Sequence, residues 1–332
     1  MLINEDKEIY YIHTQLGKCD NCQNTQFIIY RKYSGEKLCS SCFINSIEKI
    51  ISATISKYKM LNREDRIVVG VSGGKDSLAL LYNIYKIQKK KYKSKPIIAL
   101  TIDEGINGYR NKSIECAINF CKKYNINHKI LLFKDIIGKT LDEIISIKIK
   151  ESDYQYACNY CATFRRRILN EGARELGADV LIMGHNLTDL AETYLMNVLF
   201  KRHQIIANQY LFKKENNELE RYYVKKVTPL MKIPEEEIYL YSNLKKFDYY
   251  PSHCPYREKD PILRKRVLEF IQKIKSLSPE IEYNLLNGFL EISEILYHKF
   301  ERKSYNSCKK CGYPCGSNNL CLYCRYINDL NK

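Results

Sequence analysis

A short β-branched run, Ile67–Val71, leads directly into Ser72-Gly73-Gly74-Lys75-Asp76-Ser77, and SLALLYNIY follows at helical spacing. A strand, a glycine loop and a helix in that order commit the middle of the chain to an α/β fold with an anion-binding turn. The two glycines let the backbone approach phosphate oxygens, and amides at the helix N-terminus point at the anion. Lys75 adds a mobile positive charge, while Ser72 and Ser77 supply hydroxyl donors. This is not a Walker A loop, G-x4-G-K-[ST], because Asp76 follows the lysine. Val71, Ser72, Gly73, Gly74, Lys75, Asp76 and Ser77 are therefore expected to hold the phosphates of ATP. A ligand-free βα turn is the plain alternative, but SGGKDS in this context is far more specific than a lone glycine.

Around the loop, strands alternate with helices. Expected strands are Ile67–Val71, Ile97–Ile102, His128–Phe133 and Val180–Met183. Expected helices lie near Asp76–Ile87, Lys112–Tyr124, Leu141–Lys148, Thr163–Leu176 and Asp189–Leu199. Such alternation implies a Rossmann-like parallel sheet covered on both faces. Four regions follow from the patterns: residues 1–46, an N-terminal module with short β-like runs such as FIIYRKY; 47–255, the α/β domain; 256–304, a helical segment (Pro261–Lys275, then Glu282–Phe300); and 305–332, a C-terminal module. The 332 residues suffice for one sizeable core plus small accessories. No stretch reaches the roughly 20 apolar residues of a membrane span, and MLINEDKEIYYIH has no apolar signal region. A cytoplasmic location without membrane contact is the default expectation.

Fourteen cysteines without a signal segment argue against a disulfide scaffold, and ten of them form five CxxC pairs. Cys19/Cys22 and Cys39/Cys42 are separated by sixteen residues, a spacing that fits a four-cysteine zinc site. Cys308/Cys311 and Cys321/Cys324 fit a second, with Cys315 as an unassigned fifth thiol nearby. Modules this small fold readily only with their metal. The fifth pair, Cys158/Cys161, precedes an Arg-rich helix, and Cys254 follows about ninety residues later. Three readings stand open on spacing alone: zinc completed by His253, a redox-active CxxC, or a [4Fe–4S] cluster with three thiolate ligands and one open iron. Cys116 and Cys121 belong to no pair and are expected in buried apolar positions.

Several strings taken together decide between them. SGGKDS, Ile102-Asp103-Glu104-Gly105-Ile106 with Gly108-Tyr109-Arg110, CNYCATFRR, GHNLTDLAET and the late Cys-Pro-Tyr resemble the two-zinc-module tRNA 2-thiolation enzymes of the PP-loop ATP pyrophosphatase superfamily. That group includes archaeal and eukaryotic wobble-uridine thiolases and the thermophile ribothymidine-54 thiolase, and the resemblance runs from Cys19 to Cys324. It implies an oxygen-sensitive [4Fe–4S] cluster on Cys158, Cys161 and Cys254. It also implies ATP contacts at Ile102, Arg165, Gly184 and Asp189, with Mg²⁺ near Asp76, and catalytic roles for Asp76, Arg165 and Asp189. The last string usually reads GHNLDD, so Thr188 departs from the pattern and one carboxylate of a pair is absent. Plain readings stand beside these: a solvated charge for Arg165, a helix-dipole carboxylate for Asp189, and a packing role for His185.

The reaction so implied is adenylation of the uridine C2 oxygen with release of pyrophosphate, then displacement of AMP by sulfur. A net charge of +16 fits a polyanionic partner such as tRNA, with Lys18, Arg31, Lys32, Lys309 and Lys310 as candidate phosphate contacts on the zinc modules. The resemblance further implies a thiocarboxylated ubiquitin-like protein as sulfur donor and a homodimer. CNYCATFRR favours position 34 over 54. Two rivals remain: another PP-loop ligase with zinc on the internal cysteines, and a non-catalytic zinc-ribbon RNA-binding protein.

Overall fold

Residues 15–90, 95–150, 156–211, 221–256, 262–300, 306–315 and 318–331 are described by the computed structural model. The N-terminal string MLINEDKEIYYIH (residues 1–13) and Pro261 lie outside them. Ile67, Val68 and Val69 are all buried, as a strand covered on both faces requires. Alternate side chains serve opposite layers: Ile67 and Val69 join one apolar cluster, whereas Val68 joins the other with Leu100, Leu181 and Phe164. This strand, β1 (Ile67–Gly70), is the centre of a five-stranded sheet with β2 (Ile98–Asp103), β3 (Asn127–Leu132), β4 (Val180–Ile182) and β5 (Lys225–Val227). The order is β3-β2-β1-β4-β5 and every pairing is parallel. Ligands of such sheets bind where the strand order reverses, beyond the carboxyl ends of the strands. Here that crevice lies between β1 and β4, which places the loop after β1 beside the segment after β4.

The helices are α1 (Ser40–Lys57), α2 (Lys75–Lys89), α3 (Arg110–Tyr124), α4 (Phe133–Ile137), α5 (Leu141–Lys148), α6 (Ala157–Glu175), α7 (Leu187–Leu199), α8 (His203–Asn208), α9 (Glu235–Leu244), α10 (Ile262–Leu277), α11 (Ile281–Phe300) and α12 (Leu322–Leu330). The expected alternation is present, with two instructive differences at helix starts. Helix α6 begins at Ala157 rather than Thr163, so the CNYC turn lies inside the helix. An apolar stripe of Ala157, Tyr160, Phe164 and Ile168, all buried, drives that extension. Likewise α1 begins at Ser40, directly after Cys39, because Phe43, Ile47 and Ile51 continue its buried face. No helix among the described residues is long and apolar enough to cross a membrane.

Three successive glutamates open α9, where carboxylates also suit the helix dipole. Each reaches a different part of the chain. Glu235 meets Lys75 of the phosphate loop at 2.6 Å, and Glu236 meets Lys275 of α10 at 2.8 Å. Glu237 meets Arg31 of the N-terminal module at 2.7 Å and accepts the Tyr33 hydroxyl at 2.5 Å. The Arg31–Glu237 pair is almost fully buried (3% and 2% side-chain exposure), so Arg31 serves docking of the module rather than an exposed contact with RNA.

Candidate active site and metal centres

The loop after β1 is held by its own hydroxyls. Ser77 Oγ accepts from the Ser72 backbone N–H at 3.1 Å and donates to the Gly74 carbonyl at 2.9 Å, while Ser72 Oγ accepts from the Gly74 N–H at 3.3 Å. Gly73 has φ +87°, and a Cβ there would stand 1.7 Å from the Ser113 carbonyl oxygen of α3. Only glycine fits. Gly74 is the N-cap of α2, so the Lys75, Asp76 and Ser77 amides face the crevice as the free donors of a helix start. Val71 fixes the loop to the sheet, donating to the Leu100 carbonyl at 2.9 Å and accepting from Thr101 Oγ1 at 2.8 Å.

The segment after β4 lies against this loop. A Cβ on Gly184 would sit 3.4 Å from the Ser77 nitrogen, so the two backbones meet there. Asn186 Nδ2 donates to Asp76 Oδ1 at 3.0 Å, and Asn186 and Asp189 form a reciprocal capping box at the start of α7. Asp189 thus does have the helix-terminal setting of the plain reading, and Arg264 of α10 also reaches it at 3.8 Å. Lys75 Nζ bridges Asp76 at 3.0 Å and Glu235 at 2.6 Å. Burial works against the Lys75 ammonium, but these two carboxylates outweigh it and hold its pKa above the ordinary lysine value. Burial raises the Asp76 pKa, helped by Glu235 and Asp189 and opposed by Lys75 and Asn186. A site with this charge pattern is poised to accept polyphosphate and a cation together.

Thr188 now has a physical role. Its hydroxyl oxygen accepts the Glu235 backbone N–H at 3.1 Å, satisfying an open donor at the start of α9. An aspartate at the same place would offer the same acceptor. Glu235, brought in from another element, sets a carboxylate on Lys75 beside Asp76. Replacing Thr188 with valine is expected to lower stability by about 1 kcal/mol through loss of this cap, read as a fall in thermal midpoint; an unchanged midpoint would contradict the role.

On the other side of the loop, Ile102 is the penultimate residue of β2 and is buried, and its carbonyl accepts Arg110 Nε at 3.0 Å. Glu104 is buried between Arg110 at 2.6 Å and Arg165 at 3.3 Å. It therefore ties the end of β2 to α6. The Arg165 side chain remains half exposed (52%), and its charge is favoured first by the Cys161 sulfur and then by Glu104.

Cys158 and Cys161 are the second and fifth residues of α6, three apart and so on one face. Cys161 packs with Cys254 and Tyr256 against the apolar cluster behind β2 and feels the charges of both other cysteines. Burial pushes the Cys161 thiol up to about 12, with Arg165 beside it pulling the other way. The Cys254 segment is also bound to the phosphate loop, because the Tyr250 N–H donates to the Gly73 carbonyl at 3.1 Å. Three soft donors of limited exposure thus sit at the same end of the sheet as the loop.

The terminal cysteines are arranged differently. Cys19, Cys22, Cys39 and Cys42 form one set, and Cys308, Cys311, Cys321 and Cys324 another, each with all sulfurs within 4.8 Å of one another. A tetrahedral ion about 2.3 Å from each sulfur spaces them about 3.8 Å apart; Cys22–Cys39 and Cys311–Cys321 are each 3.7 Å apart. Both sets fit a single metal ion. Cys158, Cys161 and Cys254, with or without His253, do not form such a compact set among the described residues. Cys315 is half-buried and donates to the Asn318 carbonyl at 3.1 Å. Cys121 is buried as expected, whereas Cys116 is only partly so.

Glu235, Glu104, Asn186 and Arg264 are site neighbours that sequence reading missed. Glu104 and Asn186 lay within quoted strings without a role. Glu235 was hidden in a run that reads as an ordinary acidic helix start, and Arg264 in a general excess of basic residues.

A PP-loop domain profile matches residues 44–269. The chain is 34% identical over 313 residues to the "Probable sulfurtransferase" of Methanocaldococcus jannaschii, covering 94% of this chain and 88% of that one. It is 30% identical over 327 residues to "tRNA 2-thiolation protein NcsA" of Haloferax volcanii, covering 94% and 99%. With "Cytoplasmic tRNA 2-thiolation protein 1" of Dictyostelium discoideum it shares 32% over 319 residues, covering 95% and 84%. In three dimensions it is similar to "U34-tRNA thiolase NcsA from Methanococcus maripaludis with its [4Fe-4S] cluster", with TM-score 0.78, 31% identity, and coverage of 94% of this chain and 96% of that one. A parallel sheet carrying SGGKDS at its switch point, two four-cysteine sets and kinship over nearly the whole length lead to one assignment: the chain belongs to the PP-loop enzymes of the tRNA 2-thiolation family.

Proposed function

We propose that this enzyme replaces the C2 oxygen of the tRNA wobble uridine, position 34, with sulfur. The observation that supports the reading is the Tyr250–Gly73 hydrogen bond of 3.1 Å, which joins the segment leading to Cys254 to the phosphate loop. Val71–Ser77, Ile102 and Gly184 hold ATP, with Lys75 and the α2 amides on its phosphates. Asp76 would hold Mg²⁺, which when bound would offset the charge of the leaving phosphates. Asp189 orients the site from the facing helix, and Arg165 reaches the α-phosphate and the base. The uridine C2 oxygen attacks the α-phosphorus, forming an O–P bond as the bond to pyrophosphate breaks. Sulfur then attacks C2, and the C–O bond breaks with AMP as leaving group. Adenylation is needed because a carbonyl oxygen is otherwise a poor leaving group. A [4Fe–4S] cluster, when bound by Cys158, Cys161 and Cys254, supplies an iron without a protein ligand for sulfur delivery. Similarity over 94% of this chain to a thiolase described with its [4Fe-4S] cluster supports a cluster on this trio, and the compact terminal sets support zinc.

A thiocarboxylated ubiquitin-like protein supplies the sulfur, and the enzyme acts in the cytoplasm as a homodimer. Relatives carrying "cytoplasmic" in their names support the location. Anaerobic incubation with ATP, sulfide and unmodified tRNA, followed by nuclease mapping and mass spectrometry, tests the reading. Expected is 2-thiouridine at position 34. Its appearance at position 54 would overturn the position alone, and its absence from every fragment would overturn the function.

A further inference from the structure

Cys158 and Cys161 are the second and fifth residues of α6. The helix N-cap, Tyr156, makes no side-chain cap, and no acidic residue occupies the first turn. Tyr160, between the two cysteines, is instead buried against Tyr326 of α12, with ring centroids 4.5 Å apart. One turn on, Phe164 meets Tyr323 at 5.5 Å and Tyr326 at 6.0 Å. Farther along, the Arg167 guanidinium lies 3.1 Å from the Tyr313 ring centroid, and Asn170 donates to the Tyr313 hydroxyl at 2.7 Å. From the neighbouring helix, the buried Lys148 donates to the Asp329 carbonyl of α12 at 3.0 Å.

The partner surface in each contact is the C-terminal four-cysteine module. Its metal set also organises α12: Cys321 is the N-cap, its sulfur accepts the Cys324 N–H at 3.4 Å, and Tyr326 stands two residues beyond Cys324. A short helix with an unmade metal site is marginal by itself. From this we propose that the C-terminal module is a positioning device for the internal cysteines, with Tyr326 clamping Tyr160 so that Cys158 and Cys161 present their sulfurs in one fixed geometry. The module's aromatic face is turned inward onto α6, and docking of RNA is left to its other faces. The two metal centres are thereby linked: order in α12 sets order in the CNYC turn.

This inference rests on reading Cys158, Cys161 and Cys254 as cluster ligands. The test compares parent, Tyr326→Ala and Tyr326→Phe after anaerobic reconstitution with iron and sulfide. Zinc content, ATP binding, iron and sulfide per chain, rate of iron loss to a chelator and the electron paramagnetic resonance of the reduced protein are measured. Expected for Tyr326→Ala are parent-like zinc and ATP binding, iron loss at least tenfold faster and an altered resonance. Tyr326→Phe, which keeps the ring, behaves as the parent. A parent that takes up no iron contradicts the cluster reading. A parent that holds iron beside a Tyr326→Ala protein that holds it equally well overturns the clamp alone. Should Tyr326→Ala be insoluble, Tyr326→Leu decides on the same measurements, with faster iron loss supporting the clamp and parent-like retention overturning it.

Discussion

Gly73→Ala is expected to reduce ATP affinity at least about a hundredfold, equivalent to ~2.7 kcal/mol. Two independent costs fall on that methyl group. At φ +87° an L-residue is strained. In addition, the Cβ would stand 1.7 Å from the Ser113 carbonyl oxygen, a backbone atom of α3 that has no rotamer to adopt. The loop must therefore move, and three things move with it. The Ser72–Ser77 hydrogen bonds loosen, the α2 amides lose their aim, and the Gly73 carbonyl shifts away from the Tyr250 N–H. Isothermal titration with ATP reads the effect, and an affinity within threefold of the parent would contradict the assigned geometry. The same substitution also withdraws the tie to the Cys254 segment, so iron retention should fall in parallel.

The second large effect is chemical. Cys158→Ala is expected to abolish 2-thiouridine formation while leaving ATP affinity within about twofold, a change of ~0.4 kcal/mol. The helix that bears Cys158 is held by Tyr160, Phe164 and Ile168, all buried, and not by the half-buried thiol. Loss of one sulfur therefore leaves α6 standing, along with Arg165 and its contact to Glu104 at 3.3 Å. What disappears is one of three donors to the proposed cluster, which has no fourth cysteine to replace it. Thiolation assays beside ATP titration separate the two functions. Equal loss of both would mean that Cys158 is structural.

The sheet and its switch point were legible in the sequence because β-branched runs and one glycine loop fall at fixed intervals, and buried strands tolerate little else. The two four-cysteine sets were legible for a similar reason, since metal geometry constrains spacing in the chain. Boundaries were harder to read. The CNYC string looks like a loop when its cysteines are taken as a motif, whereas its apolar residues Ala157 and Tyr160 belong to the stripe of α6. Strand β5 was missed because Lys225 and Lys226 are exposed and only Val227 is buried. Long-range partners were the least legible of all. Glu235 lies 160 positions from Lys75, and a run of glutamates after a proline reads equally well as an ordinary helix start. Arg31 illustrates the converse: a basic residue near zinc suggested contact with RNA, and its burial against Glu237 assigns it to docking of the module. Thr188, where the family string carries an aspartate, accepts the Glu235 amide through its hydroxyl, a contact between residues 47 positions apart.

One experiment addresses the joining of adenylation and sulfur transfer most directly. AMP, pyrophosphate and 2-thiouridine are counted in a single anaerobic reaction with tRNA, ATP and sulfide, and again after the protein has been exposed to air and stripped of iron. Expected is one AMP and one pyrophosphate per 2-thiouridine from the anaerobic protein. Expected after air is no 2-thiouridine, with ATP still bound. Production of ADP and phosphate, or undiminished thiolation by the iron-free protein, would contradict it.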